Sequence, residues 1–137
     1  MNNLKQIIDF IKEETGNNQI SKDSDICDGI GIYGDDFHEL IDAYAKKFNV
    51  DMTNYLWYFH AEEEGYNIGG LFFDPPYKRV KRIPITPQML TDFSMSGKWS
   101  LNYPKHSIPN KRIDLIINRF FFFLAILFLA IWAFTKL

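Results

Sequence analysis

The chain has 137 residues, which is enough for one small domain and leaves little room for a second. Hydrophobic residues make up 47% of it, which suits a packed core, and the single cysteine excludes an intramolecular disulfide framework and CxxC metal sites and predicts a reducing compartment. Residues 1–70 contain five basic and 14 acidic residues, a charge of −9, whereas residues 71–137 contain ten and three, a charge of +7, and this asymmetry indicates either two different surroundings or a solvated surface without a partner.

Two amphipathic helices are predicted in the acidic half. Apolar residues recur at helical spacing from Leu4 to Ile11, which predicts a first helix that ends near Gly16. A long polar loop follows over residues 16–34, and a second helix starts at Asp35 and Asp36, where the free N–H groups and the helix dipole favour anions. The buried stripe expected on this second helix consists of Phe37, Leu40, Ile41, Tyr44 and Phe48.

The middle of the chain gives weaker signals. Residues 51–65 favour a short third helix closed by Gly65, although their aromatic run would also suit a strand. Residues 71–85 contain two apolar runs around Pro75 and Pro76, which favour a short β-hairpin insertion. A last helix of the domain is predicted after a Thr86 cap, with Pro87 in its first position, inward-facing Leu90 and Phe93, and a stop at Gly97. Residues 98–112 lack periodicity and predict a linker.

The C-terminal segment predicts a membrane anchor. Residues 120–134 are apolar without a break, and as a helix they would span roughly 22 Å, short of the ~30 Å hydrocarbon core. Arg119 and Lys136 can extend their charged groups to the headgroups, so that about 20 residues serve as the span. A buried core helix and an interfacial helix are the alternatives, but so small a chain has little with which to surround an apolar helix. We therefore expect residues 113–137 to contact the lipid bilayer.

The flanking charges predict the orientation of this anchor. Lys105, Lys111, Arg112 and Arg119 precede the span, and Lys136 follows it, so the positive-inside rule places the N-terminal domain in the cytoplasm. The acidic, amphipathic N-terminus is no signal peptide. The sequence thus predicts a cytoplasmic domain over residues 1–97, a linker over 98–112 and a single-pass anchor helix over 113–137.

Several kinds of active site match the sequence poorly. The stretch from Asp23 imitates a calcium loop, but Cys27, Asp28 and Gly34 stand where the pattern needs an oxygen ligand, glycine and glutamate. The three histidines lack zinc-ligand spacing, and the glycines around Gly31 are not a phosphate loop. Cys27 could act as a nucleophile with a remote histidine, but packing is the simpler interpretation. We therefore predict no metal, no cofactor and no catalytic residue.

The basic run Lys78, Arg79, Lys81 and Arg82 could meet a polyanion. With an anchor nearby, anionic lipid headgroups are favoured over nucleic acid as its partner. The alternative is a solvated hairpin edge protected by charge.

The stretch "GIGIYGDDFHELIDAYAKKFNVDM" resembles the second-helix region of acyl carrier proteins, matching it at Ile30, Gly31, Glu39, Leu40 and Phe48. More specifically, "GDDFHELI", "KKFNVDM" and "ITPQML…SGKW" resemble DUF1493, a family of small, mainly enterobacterial proteins described as acyl-carrier-like, over roughly residues 3–99. The resemblance implies a mainly α, acyl-carrier-like helical bundle in a bacterial protein. The C-terminal anchor lies outside the resemblance, and the two together predict a domain tethered to the bacterial inner membrane.

This chain departs from the carriers at the residue that carries their chemistry. The carrier serine aligns with Gly34, and the aspartate before it with Tyr33, so no side chain can hold phosphopantetheine. What the resemblance still implies is an acidic face on the second helix that docks on a basic patch of a cytoplasmic protein. Asp35, Asp36, Glu39 and Asp42 are the residues expected to bind that partner. The alternative is an accessory subunit or enzyme of lipid or acyl metabolism at the membrane, with Cys27 or His38 as its active group.

Overall fold

The computed structural model describes residues 3–136 and is mainly helical. Its helices are α1 (Asn3–Thr15), α2 (Gly34–Phe48), α3 (Pro87–Ser96) and α4 (Ile113–Lys136). Three short 3₁₀ turns lie between α2 and α3, at Trp57–Phe59, Gly69–Leu71 and Pro76–Lys78. The described residues contain no strand, and their only extended pairing is an isolated bridge between Asp51 and Lys98.

Helices α1 and α2 form as the apolar spacing predicts. Helix α1 ends before Gly16, whose φ of 69° stops it in the left-handed region. Its buried residues are Ile7, Phe10 and Ile11. The predicted stripe of α2 is confirmed, with Phe37, Leu40, Ile41 and Tyr44 buried and Phe48 packed at the edge of the core. The two stripes face one apolar core.

Helix α3 closes this core and has the predicted boundaries. Thr86 Oγ1 accepts a hydrogen bond from Met89 N at 3.3 Å, Pro87 occupies the first helical position, and Gly97 ends the helix with a φ of 71°. Tyr44 Oη donates to the carbonyl of Leu90 at 2.6 Å, which fixes α2 against α3 inside the core.

The predictions for the middle of the chain are wrong. The only helical element in residues 51–65 is the 3₁₀ turn Trp57–Phe59, where a third helix was expected. Residues 71–85 contain the 3₁₀ turn Pro76–Lys78 and the end of the turn Gly69–Leu71, where a hairpin was expected. Pro75 and Pro76 are both buried and lack the N–H groups that a strand ladder needs. Aromatic packing organises this region instead of backbone periodicity: Phe59, for example, lies in the core with its ring centroid 4.8 Å from that of Tyr103.

The packed domain also uses residues from the segment predicted as a linker. Trp99 is completely buried and packs on Phe93 and Tyr55, with ring centroids 4.6 and 4.9 Å away. Leu101 and Tyr103 pack against the same core. Residues 98–112 are irregular, as predicted, but their first part belongs to the folded domain.

Helix α4 leaves the domain after its first turns. It contacts the turn Gly69–Leu71 near its start, and every residue from Arg119 to Lys136 is exposed. With 24 residues and a mean hydropathy of 2.3 in its most apolar window, it is long and apolar enough to cross a membrane, and none of that window is buried. At about 1.5 Å per residue it measures roughly 36 Å.

Candidate functional site

The four carboxylates predicted to bind a partner lie on the surface of α2. Asp35, Asp36, Glu39 and Asp42 are all exposed, and among the described residues none of them forms an ion pair. Asp36 and Glu39 line an open cleft with Glu14, which adds a further negative charge from the end of α1. The N-cap residue, Tyr33, makes no side-chain capping bond, so Asp35 and Asp36 complement the N-terminus of α2 through its dipole.

Gly34, with which the carrier serine would align, is the first residue of α2 and has no space for a side chain. Its φ of +53° lies in the left-handed region, and the residue is buried. A Cβ atom at this position would lie 2.2 Å from Glu64 Oε1. Any side chain at position 34 would therefore meet both backbone strain and the Glu64 side chain.

A cavity of about 400 Å³ lies beside Gly34 and is lined by Cys27, His60 and Arg82 together with several carboxylates. Arg82 closes the loop before α2: its two Nη atoms donate to Asp25 at 3.2 and 2.6 Å, and Nη2 also donates to Asp28. Burial alone would raise the pKa of Asp25, but hydrogen bonds from Arg82 and from the Cys27 N–H outweigh it and lower that pKa. Arg82 is thus engaged inside the domain.

The chemistry considered for Cys27 finds little support in this cavity. Cys27 is buried, and its Sγ donates to the His60 carbonyl at 3.7 Å. Burial raises the pKa of the thiol to about 11, so the group is protonated at neutral pH and is a weak nucleophile. His38 packs edge-on against Trp57, with centroids 5.8 Å apart, and makes no hydrogen bond to Cys27 in the described part of the chain.

His60 belongs to a neutral buried network. Its Nδ1–H donates to the Ile83 carbonyl at 2.9 Å, because that oxygen can only accept, and Nε2 therefore accepts from Tyr103 Oη at 2.8 Å. Tyr103 Oη in turn accepts from Trp99 Nε1 at 2.9 Å and from Leu56 N at 3.1 Å. Burial lowers the pKa of His60 to about 4, which keeps the ring neutral. This network joins three segments that have no helix or strand.

A second polar network joins the domain to α4, and we call it the clasp: Glu63, Asn67, Gly69, Arg112, Asp114 and Asn118. Its charged half centres on Arg112, whose guanidinium donates to Glu63 at 3.1 and 2.7 Å and to Asp114 at 2.9 and 2.6 Å. Asp114 is only 2% exposed. Two bidentate pairs on one arginine give this half defined geometry as well as attraction.

The amide half of the clasp holds the next turn of α4. Asn67 Nδ2 donates to Asp114 Oδ2 and Asn118 Nδ2 donates to Asn67 Oδ1, both at 2.9 Å. Asn118 Oδ1 accepts from Gly69 N at 2.7 Å. A Cβ on Gly69 would lie 1.9 Å from the Asp114 carbonyl, so glycine is what allows the chain to approach the helix this closely.

The three basic residues expected beside the membrane have different environments. Arg112 is half-buried in the clasp and is neutralised by two carboxylates. Arg119 and Lys136 are exposed at the two ends of the apolar run.

Comparison with known proteins identifies the family. The model of DUF1493, described as a protein of unknown function, matches residues 1–102. The chain belongs to the DUF1493 family. No curated protein and no solved structure matches it. The DUF1493 match includes Gly34, the α2 carboxylates and Trp99, and it ends before α4 begins, so the clasp joins residues inside the match to residues outside it.

Sequence reasoning missed the clasp and the His60 network in this DUF1493 chain. Asn118 interrupts the apolar character of α4, and Gly69 and Gly70 are adjacent in the sequence. These features do not predict that the two segments are in contact. Asn67 and Asn118 are 51 residues apart, and His60 and Tyr103 are 43 apart. Local patterns carry no information on such pairings.

Proposed function

We propose that this DUF1493 chain is a membrane-tethered, acyl-carrier-like protein that lacks the phosphopantetheine serine and serves as a protein–protein interaction module. The observation that carries the proposal is the set of four exposed carboxylates on α2 that have no ion-pair partner among the described residues. Clustered charges of one sign steer association with a surface of the opposite sign. The partner we propose is a cytoplasmic protein with a basic patch.

The proposed tether is α4, inserted once into a bacterial inner membrane with the domain on the cytoplasmic side. Its support is the length and exposure of the helix and the excess of Lys and Arg before the apolar run. The family resemblance motivates both the acyl-carrier-like description of the domain and its bacterial location. A tether would confine the partner search to the membrane surface.

The absence of carrier chemistry in the proposal is supported by Gly34. The residue has no side chain to modify, and the space that a Cβ would take is filled by Glu64. The intact mass of the purified protein should therefore lack the increment of a phosphopantetheine arm. Quantitative modification at any residue would contradict the proposed non-carrier role.

The recognition role is tested by affinity capture from detergent-solubilised membranes. Wild-type protein should retain a specific partner, and Glu39→Lys/Asp42→Lys should lose it, because attraction becomes like-charge repulsion. A matched control is Asp9→Lys/Asp92→Lys, which changes the net charge by the same amount at exposed positions of α1 and α3. Equal loss in both double variants would indicate nonspecific electrostatics, and retention in both would place the binding surface elsewhere.

A further inference from the structure

One loop of the domain exposes far more apolar surface than the rest. Within residues 66–73, which we call the apolar loop, five large apolar side chains are exposed: Tyr66, Ile68, Leu71, Phe72 and Phe73. Leu71 is 81% and Phe72 67% accessible. Elsewhere in residues 3–112, the only other large hydrophobic side chains with comparable exposure are Tyr33 and Met95. Five exposed apolar side chains within eight residues exceed the single, scattered hydrophobic residues of an ordinary surface and indicate an interaction surface.

The clasp fixes the apolar loop against the start of α4. Gly69 lies in the middle of the loop, donates its N–H to Asn118 and approaches the Asp114 backbone too closely for any side chain to intervene. Asn67 bonds to both Asp114 and Asn118. The loop and the first turns of α4 therefore form one unit, and wherever α4 enters a bilayer, the loop goes with it.

The contact between the apolar loop and α4 sets the depth of the loop relative to the bilayer. Tyr66 and Ile68 line an open groove of about 460 Å³ with Phe121, Phe122 and Ala125. Ala125 lies about 8 Å along the helix from Phe120, the first residue of the apolar run. Interfacial segments insert their apolar faces by about 5–10 Å, which agrees with this depth.

Asn118 and the basic side chains at this level suit a membrane boundary. The amide of Asn118 is satisfied by Gly69 and Asn67 and so does not enter the interface with unpaired donors or acceptors. Arg119 lines the same groove as Tyr66 and can extend to lipid phosphates. Arg79 and Lys111 border the cleft at Phe73, where Asp74 is the one carboxylate that Arg112 does not neutralise.

We propose that the apolar loop is a second membrane-contacting element, inserted into the headgroup–acyl boundary of the leaflet that α4 enters from the domain side. This inference rests on the membrane tether proposed above. In this arrangement the domain is not attached through a linker alone but contacts the bilayer directly, with Leu71, Phe72 and Phe73 in lipid. The orientation of the α2 carboxylates relative to the membrane is then fixed.

The test is spin-label accessibility in the full-length chain reconstituted into phosphatidylcholine–phosphatidylglycerol vesicles. Single labels are attached after Phe72→Cys in the loop, Phe128→Cys in the middle of α4 and Met95→Cys on exposed α3. Cys27 is buried and is present in every variant, so labelling of the wild-type protein measures the background from this residue. Oxygen concentrates in the bilayer and a water-soluble nickel chelate is excluded from it, so the ratio of the two accessibilities reports insertion. Near-UV circular dichroism checks that each variant is folded.

The expected result is a severalfold higher oxygen-to-nickel ratio at positions 72 and 128 than at position 95. A high ratio at 128 with a water-like ratio at 72 overturns the inference and leaves the tether standing. A water-like ratio at 128 overturns the tether and the inference together. A label at 72 that is immobile, inaccessible to both reagents and dipolar-broadened would show that a second copy covers the loop, which also overturns the inference.

Discussion

Helices α2 and α4 both place carboxylates in their first turn, but the two sets have opposite environments. Asp35 and Asp36 of α2 are exposed and form no ion pair with the other described residues. Asp114 of α4 is buried and accepts hydrogen bonds from Arg112 and Asn67. Each set gains from the helix dipole, so the dipole does not explain the difference.

The difference separates a carboxylate that holds the structure from carboxylates that remain available. Asp114 gives its two oxygens to the protein itself, and removing it would leave donors without acceptors at the start of α4. The α2 carboxylates could be reversed in sign without breaking a contact that the structure describes. Substitutions of carboxylates at similar helix positions are therefore expected to have large effects on stability in α4 and small effects in α2.

The largest effect is expected for Asp114→Ala. The substitution leaves Asn67 Nδ2 without its acceptor and removes one of the two carboxylates from Arg112, and each hydrogen bond to a charged group contributes about 1.5–3 kcal/mol. The cost should fall on the docking of α4. Amide hydrogen exchange at Gly69, measured in lipid nanodiscs, should then become roughly a hundredfold faster.

Asp36→Ala is the matched control for Asp114→Ala, because it also removes a carboxylate from the first turn of a helix. Exchange at Gly69 should stay at the wild-type rate in this control. Wild-type protection at Gly69 in Asp114→Ala would show that the clasp does not hold the root of α4.

Acid should destabilise the domain through His60, which lies outside both α2 and α4. The pKa of His60 is about 4 in the folded protein against 6.5 in the unfolded chain, so the unfolded state binds more protons between these values. The contribution is complete above pH 6.5 and is lost as the pH falls toward 4, by roughly 3 kcal/mol in total.

Urea unfolding at a series of pH values measures this contribution. His60→Gln should be less stable than the wild type at pH 7 and should show a flatter pH profile between pH 6.5 and 4. His106→Gln, at an exposed histidine, is the control for the loss of an imidazole outside the buried network. An unchanged slope in His60→Gln would mean that other groups set the acid limit of the domain.

A smaller effect is expected at the start of α2, for Gly34→Ala. Left-handed backbone costs a residue with a Cβ about 1–2 kcal/mol, and the contact with Glu64 adds to this. Gly16→Ala is matched, because Gly16 has a φ of +69° but open space around its Cβ position. Thermal unfolding should show Gly34→Ala to be the less stable variant, and Glu64→Ala should remove the excess. Equal losses at the two glycines would mean that Glu64 does not occupy the position.

The same position gives a chemical test in Gly34→Ser. A hydroxyl at position 34 alone should not allow efficient modification by a phosphopantetheinyl transferase, because Tyr33 stands where acyl carrier proteins have an aspartate and Glu64 lies against the new side chain. Intact-mass analysis after incubation with the transferase and coenzyme A decides this. Complete modification would show that a single residue separates this chain from a working carrier.

The parts of the fold that could be predicted are those governed by local rules. Apolar spacing located α1 and α2, and the Thr86 cap with Gly97 located α3, because helix signals act within a few residues. Residues 51–85 escaped prediction because their order comes from aromatic packing and from His60, whose partner Tyr103 is distant in sequence. The likeness to a carrier pointed to Gly34, but the Glu64 side chain beside it could be found only in three dimensions.

The smallest effect on stability is expected for Glu39→Lys/Asp42→Lys, and this variant is the sharpest test of the contrast with Asp114. Both residues are exposed, so the change in the free energy of unfolding should stay within about 0.5 kcal/mol. They also lie beyond the first turn of α2, where the dipole penalty for a positive charge is small. Urea titration measures this, and a loss comparable with that of Asp114→Ala would place the two carboxylates among the structural ones.

Binding should respond where stability does not. For the wild type, the affinity for a captured partner should fall as salt rises, since the Debye length shortens from ~10 Å at 0.1 M to ~3 Å at 1 M. The reversed variant should bind weakly at low salt and show a flat or inverted salt dependence, because screening then relieves repulsion. Stability and affinity together distinguish the possible roles of the α2 carboxylates. A solvated surface without a partner predicts no change in stability or in affinity, whereas a structural role predicts a change in stability. A stable variant that binds as tightly as the wild type, with no salt dependence in either protein, would remove the acidic face of α2 from the proposed recognition site.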